Sequence, residues 1–354
     1  MIDKYLSDKL KVISFFSMLM VVFLHSYNLG EEILNDTSVT KGYDFFIQFF
    51  ISQGIARVAV PIFFVISGYL LFLNKKNTFD EYLLILKKRF KSLVIPYLFW
   101  SFSLFFIFLL LQSLPQIGMF FKQKHIIDYN FHEVLETIFV HPIPFQFWFI
   151  RDLFVLMIFS PLLYALVRFF KILTLFVFLI TWWFQIDFVI FSNEAILFFV
   201  LGLFLVINKI DLNVSKLFKN SIFLVLLWFL LVFSETLLIY KGFLNKSIIN
   251  SLHKFGILVG LFAVWSFYDF LFKKAGINSK FLSLTQMSFF IYAFHEPLLE
   301  IIKIVFYKIL GESQFLKLLL YVTSPLFVIS ISIFLGLYLK RVFPNFFSII
   351  TGGR

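Results

Sequence analysis

Apolar runs long enough to cross a hydrocarbon core of about 30 Å recur from one end of this sequence to the other, and few architectures can house them. Bounded by charge or by Pro, Gly and Asn, they give ten spans, approximately 10–29, 55–73, 93–114, 147–168, 172–190, 194–208, 219–240, 252–272, 283–303 and 316–339. The sixth is short, so it is tilted less, broken or partly re-entrant. Composition agrees: 61% of the residues are hydrophobic, 14% are charged and the mean hydropathy is +0.94, which excludes a soluble globular chain. The expected fold is an all-α, polytopic transmembrane helix bundle of about ten spans, forming a single membrane-embedded domain over 1–354.

Cysteine is absent, so disulfides, thiolate metal sites and acyl-cysteine intermediates are excluded. The formal charge of +11 has a topological origin. With the N-terminus in the cytoplasm, 20 of the 31 Lys and Arg residues fall on the cytoplasmic side and 9 on the other, while Arg57 and Arg151 lie inside spans. Both termini are therefore expected in the cytoplasm, and the basic excess is no nucleic-acid footprint. The stretch Tyr27-Asn28-Leu29-Gly30 lacks the small residues of a signal-cleavage site, so the first span reads as a retained helix.

No strong internal repeat marks an inverted-repeat transporter. The longest segment between spans, 115–146, reads as an outer loop with His125, Asp128, His132, Glu133, Glu136 and His141. Its His132-Glu133-Val134-Leu135-Glu136 string resembles half of a zinc-protease helix, but Glu136 stands where the second histidine belongs. A solvated loop, not a metal site, is the reading.

A charge near the bilayer centre costs ~2.5–3.5 kcal/mol on insertion scales, so ionisable residues inside spans direct attention to function. Read through the topology, His25 lies near the outer end of span one and Arg57 near the outer start of span two. Arg151-Asp152 lies a turn inside the outer start of span four, and His295-Glu296 on the outward half of span nine. Structural alternatives stay open. Both arginines can snorkel, although Arg151 has a charge partner in Asp152, and His25 can make one interfacial hydrogen bond. Glu194 and Glu235 read as helix-end residues in contact with water. His295-Glu296 is harder to treat as structural, because Pro297 follows and frees a backbone carbonyl in an apolar span.

Two histidines, two arginines and a glutamate suit general-base attack by a hydroxyl combined with anion binding. Spacing yields no serine triad, although Ser67-Gly68 is present in span two. The His-x4-Asp arrangement of soluble and peripheral glycerolipid acyltransferases is missing at every histidine.

At these residues the chain resembles the acyltransferase-3 family of polytopic membrane proteins, which O-acylate glycans and other acceptors at the bacterial inner membrane. The resemblance covers nearly the whole length. It rests on Val21-Val22-Phe23-Leu24-His25-Ser26, on Arg57 through Leu70 (RVAVPIFFVISGYL), on Trp148-Phe149-Ile150-Arg151-Asp152-Leu153 followed by Ser160-Pro161-Leu162, and on Ser288 through Leu298 (SFFIYAFHEPL). It implies that His25 is the principal catalytic residue, preceded eleven positions earlier by a basic residue, where this chain has Ser14. Eleven residues place Ser14 within ~20° of the face of His25 and ~16 Å away, and Lys11 is ~40° off that face. Lys11 is thus a candidate for the missing charge.

The resemblance further implies acetyl-CoA or another acyl-CoA as a cytoplasmic donor substrate, with no bound cofactor. The basic loop Lys75–Lys91 is a candidate for the CoA phosphates, or simply follows the positive-inside bias. The expected activity is membrane O-acylation, with acetyl the expected group, of a surface polysaccharide or lipid-linked sugar at the bacterial inner membrane. His25, with His295 and Glu296, would be catalytic; Lys11, Ser14, Arg57, Arg151 and Asp152 would bind substrate. Membrane lipids, acyl-CoA and the glycan are the expected partners. A transporter or exporter of an anionic or lipid-linked metabolite would use the same charges as a substrate site.

Overall fold

A computed structural model describes the chain except residues 1–2, 28–41, 74–77, 120, 122–123, 187, 189, 211, 213–220, 244, 274–275, 311–312 and 354. The Asn28-Leu29-Gly30 stretch and Lys75 and Lys76 of the basic loop lie outside the described residues. Among those described, every regular element is helical. In chain order the main helices are α1 (Lys4–His25), α2 (Tyr43–Gln48), α3 (Ala59–Phe72), α4 (Phe79–Arg89), α5 (Ile95–Ser113), α6 (Phe131–Phe139), α7 (Trp148–Ile158) and α8 (Ser160–Phe170). They continue with α9 (Ile172–Trp183), α10 (Asn193–Ile207), α11 (Ser221–Tyr240), α12 (Lys246–Phe272), α13 (Ser288–Leu310), α14 (Gln314–Val342) and α15 (Pro344–Thr351).

Among the described residues, five stretches are long and apolar enough to cross a membrane by length and composition: Tyr43–Phe72, Asp80–Ser113, Ser221–Tyr240, Lys246–Phe272 and Gln314–Val342. A sixth arises if Phe145–Ile158 and Ser160–Phe170, a bent pair, count as one span. The count falls below that read from the sequence because several apolar runs form short or interrupted helices. The α9 and α10 helices have 12 and 15 residues. In α13 the helix breaks at Glu296 (φ −109°, ψ 139°), as expected of a residue before proline, whose ring disfavours helical ψ.

Internal contacts group the residues into two compact units, residues 1–75 with 161–334 and residues 76–160 with 335–354. In the first unit, α1 starts at Asp3, whose carboxylate accepts from the backbone N–H of Leu6 (2.6 Å), an N-cap that satisfies an otherwise orphan donor. Its Val12 and Ile13 pack with Val58 and Ile62, Trp228 and Val232, and Ala263 and Tyr268. That joins α1, α3, α11 and α12 in one core.

Helices α3 and α10 meet through Gly68 and Gly202. A Cβ on Gly68 would collide with the Phe199 carbonyl oxygen, and one on Gly202 with the carbonyl oxygen of Val65. Backbones this close admit only glycine, the small-residue packing typical of membrane helices. Gly202→Ala is therefore expected to destabilise the fold by about 1–3 kcal/mol, the range for overpacking. Gly256→Ala, whose Cβ would meet Val232 at an ordinary 3.8 Å, is expected to change little. Thermal unfolding of the purified variants in detergent checks the contrast.

In the second unit, Asp80–Ser113 runs continuously through a π-helical turn at Phe90–Val94. Helix α7 packs beside that turn, with the rings of Phe90 and Phe154 6.2 Å apart and the Tyr82 hydroxyl donating to the carbonyl of Ile158 (2.8 Å). Helix α15 closes on α5, where the Trp100 indole donates to the carbonyl of Ile350 (3.0 Å).

Candidate active site

The imidazoles of His25 and His295 lie together in the first unit, ring centroids 5.4 Å apart and planes 32° from each other. Helix geometry brings them there: α1 ends at His25, and α13 carries His295 seven residues after its start at Ser288. The backbone of that helix end is held independently of the rings. The Lys303 ammonium donates to the carbonyl of His25 (3.1 Å) and reaches that of Tyr27 (3.5 Å), a favourable place for a cation because the last carbonyls of a helix lack partners and carry the negative end of its dipole. The Ser26 hydroxyl donates to the Tyr321 carbonyl (2.8 Å), and Ser52 donates to the Phe23 carbonyl (2.7 Å) while sharing a hydrogen bond with the Tyr321 hydroxyl (2.8 Å).

His295 is fully buried. Its Nδ1 sits 2.8 Å from the Tyr292 carbonyl oxygen and 3.2 Å from that of Ile291. Carbonyls only accept, so Nδ1 carries the proton and the neutral ring presents its lone pair at Nε2. Among the described residues Nε2 has no hydrogen-bond partner. A buried acceptor of this kind is costly to leave unfilled, and such groups mark strain or chemistry. Glu296, buried beside it, caps the downstream half of α13: its backbone is extended, Pro297 takes the first helical position, and its carboxylate accepts the backbone N–H of Glu300.

Arg57 lies on the 3₁₀ turn Ile55–Val58, which follows the π-helical turn Phe49–Gly54; irregular turns of this kind recur at functional sites. Its Nε donates to Gln53 Oε1 (2.8 Å), and Nη2 donates to the same oxygen. A neutral amide thus orients the guanidinium. The charges of Glu194 and Glu235 act on it from farther off, and its own charge reaches His25. Such a cation is available to an anionic group of a substrate.

Along α1 the helix is unbroken, so Lys11, Ser14 and His25 do share a broad face. Ser14 is half-buried, whereas the Lys11 side chain is 55% exposed with Asp8 at 3.7 Å. Arg151 and Asp152 belong to the second unit. Asp152 is buried, and its Oδ1 accepts from Arg151 Nη2 (2.9 Å) and Nε (3.2 Å), while Arg151 Nη1 donates to the Val140 carbonyl (2.8 Å). The pair sits beside the Phe90–Tyr97 stretch of the continuous α4–α5 helix, where Tyr97 donates to the Phe139 carbonyl (2.9 Å) and Phe154 of α7 meets Phe90.

Glu235 departs from expectation. It is 3% exposed and pairs with His253 (Nδ1–Oε1 3.0 Å), because a carboxylate one turn inside a helix end is covered by the neighbouring helix. Sequence reasoning passed over Lys303 and the buried pair of Lys9 with Asp269 (2.7 Å); Asp269, inside the eighth apolar run, was the available signal. No metal-binding group of three or more His, Asp or Glu residues occurs among the described residues.

Comparison with known proteins adds to this geometry. The chain is 26% identical over 313 residues to the succinoglycan biosynthesis protein ExoH of Rhizobium meliloti (strain 1021), covering 87% of this chain and 82% of that protein. No solved structure matches it. The acyltransferase domain family matches residues 9–348, so the chain belongs to the acyltransferase-3 family and is an acyltransferase of groups other than amino-acyl groups.

Proposed function

We propose that this protein is an inner-membrane O-acyltransferase that moves an acyl group, acetyl first among them, from cytoplasmic acyl-CoA to a hydroxyl of a surface polysaccharide or lipid-linked glycan. The observation that carries this reading is the imidazole pair at the end of α1, with Arg57 in electrostatic reach. About ten membrane passages, counting short and broken helices, and cytoplasmic termini belong to the same reading.

In the reaction, His25 takes the proton of the acceptor hydroxyl as its oxygen attacks the thioester carbon. The C–O bond forms, the C–S bond breaks, and the proton passes from His25 to the departing thiolate, leaving the ester and free CoA. His295, with its lone pair fixed at Nε2, orients the acceptor hydroxyl or the His25 ring. Arg57 stabilises the oxyanion or an anionic part of the substrate. Glu296 holds the bend that presents His295; within the second unit, Arg151 and Asp152 are a proposed substrate-binding pair in their own right. The kinship with a succinoglycan biosynthesis protein favours a glycan acceptor. Transfer of radiolabelled acetyl from acetyl-CoA into the membrane glycan fraction, present with the protein and absent without it, is the expected result. Transport of a metabolite with no acylated product would overturn it.

Ser14 tests the donor path. If Lys11 supplies the charge expected one helical face below His25, Ser14→Arg is expected to keep or raise acetyl transfer, with any gain appearing as a lower KM for the acyl-CoA. Lost activity at normal abundance would mean that Lys11 already fills that space.

A further inference from the structure

Two neighbouring residues of the π-helical turn Phe49–Gly54, Ser52 and Gln53, reach the helix end that bears His25 and the guanidinium of Arg57 respectively. Ser52 is fully buried and donates its one hydroxyl proton to the Phe23 carbonyl (2.7 Å), so the Tyr321 hydroxyl is the donor in the bond those two share (2.8 Å). The turn is thereby fastened to α1 two residues before His25. On another side it presses on α11, since a Cβ on Gly54 would run into the Val232 side chain. Gln53 stands four positions before Arg57, a spacing at which helical side chains meet, and the interval crosses from the π-helical turn into the 3₁₀ turn.

Guanidinium N–H groups only donate, so the amide atom that receives both Nε (2.8 Å) and Nη2 is the Gln53 oxygen. Two bonds from a planar fork fix the plane of the guanidinium as well as its distance. The partner is uncharged. The carboxylates of Glu194 and Glu235 act on Arg57 electrostatically, but each has a partner of its own: Glu235 meets His253 Nδ1 (3.0 Å), and Glu194 accepts from the Trp182 side chain. The side chain that grips Arg57 is thus a dipole and not a countercharge. A carboxylate at position 53 would hold the fork as well and cancel its field, whereas an amide leaves the positive charge to act on a developing anion. That charge reaches the His25 ring.

We propose that Gln53 is a positioning residue for acyl transfer whose neutrality matters as much as its hydrogen bonds: it aims Arg57 at the oxyanion formed beside His25 without neutralising it. This rests on the acyl-transfer reading and adds to it a requirement at a residue that does not itself react.

The test compares two variants with the wild type in membranes at equal abundance, with thermal unfolding in detergent measured in parallel. Gln53→Glu keeps the length and the acceptor and adds a charge. It is expected to lower kcat for acetyl transfer from acetyl-CoA by about 10²-fold, the lower end of the range for loss of an oxyanion stabiliser, with KM for acetyl-CoA within about threefold of the wild type. Its unfolding temperature is expected to be no lower than that of the wild type, because the acceptor now carries charge as well as the donor. Gln53→Met, similar in length but without an acceptor, is expected to lower kcat by about tenfold or more, since the guanidinium keeps its charge and loses its aim. A wild-type kcat in Gln53→Glu would overturn the requirement for neutrality, and a wild-type kcat in Gln53→Met would overturn the positioning role. Activity that falls in both variants only in step with unfolding temperature or abundance would make Gln53 a structural residue and overturn the proposal. A raised KM with unchanged kcat would overturn the assignment to the oxyanion. A wild-type protein that forms no acylated product would instead remove the acyl-transfer reading, and this inference with it.

Discussion

Replacement of His25 by alanine is expected to lower acyl-transfer turnover by roughly 10²–10⁴-fold, the range for loss of a positioned general base. Membrane abundance should stay near the wild-type level, and the structure gives the reason. The end of α1 is held by Lys303 on the His25 carbonyl, by Ser26 on Tyr321 and by Ser52 on Phe23, none of which uses the imidazole. A falling kcat with little change in KM for the acyl-CoA identifies a group acting in the transition state. Measured in purified membranes at equal abundance, transfer at the wild-type rate by His25→Ala would remove the assigned mechanism. If the protein only moved a metabolite across the membrane, the variant would alter transport and no acylated product would appear from either form.

The histidine pair was legible in the sequence because membrane burial makes each ionisable residue in an apolar run conspicuous. His25 and His295, 270 positions apart in the sequence, were singled out by that cost and lie ring against ring in the structure. The same reasoning loses its force at the ends of spans, where a charge is taken for an interfacial one. Lys303, at the edge of the ninth run, thus counted as an outer-side charge although its ammonium holds the helix end that carries His25. The packing of 126–139 along α5 was not legible for a different reason: polar residues set the composition of 115–146, and nothing in a linear reading shows that Ile126 and Ile138 meet Phe105. Helix breaks are a third case. Pro297 announced one in α13, but an apolar run gives no sign of where a π-helical turn will form, as at Phe49–Gly54. Nor can a linear reading show that 335–354 joins 76–160 in a second unit.

The largest expected effect on stability comes from Lys9 and Asp269, which link α1 to α12. The Lys9 ammonium lies 2.7 Å from Asp269 Oδ1, with the two side chains 3% and 7% exposed. The same ammonium stands 4.1 Å from the Trp265 ring centroid, and the Tyr5 hydroxyl donates to the same Asp269 oxygen (2.5 Å). Removing one partner of such a pair leaves a buried charge uncompensated, which costs about 3–5 kcal/mol. Lys9→Met, close to lysine in length and apolar, is thus expected to destabilise strongly, because Tyr5 alone must then satisfy the carboxylate. Replacing both charges removes the stranded group, so Lys9→Met combined with Asp269→Leu is expected to recover most of the loss or to exceed the wild type. Thermal unfolding in detergent separates these outcomes, and single and double variants of equal stability would show that the pair does not hold the two helices together. The pair also bears on the reaction through direction: sixteen residues separate Lys9 from His25, which turns the two about 160° apart around α1. Fastening one side of the helix to α12 leaves the opposite side, with Ser14 and His25, turned away from α12. In the double variant, restored stability without restored turnover would therefore assign the ion pair to setting the rotation of α1, whereas recovery of both would confine it to stability.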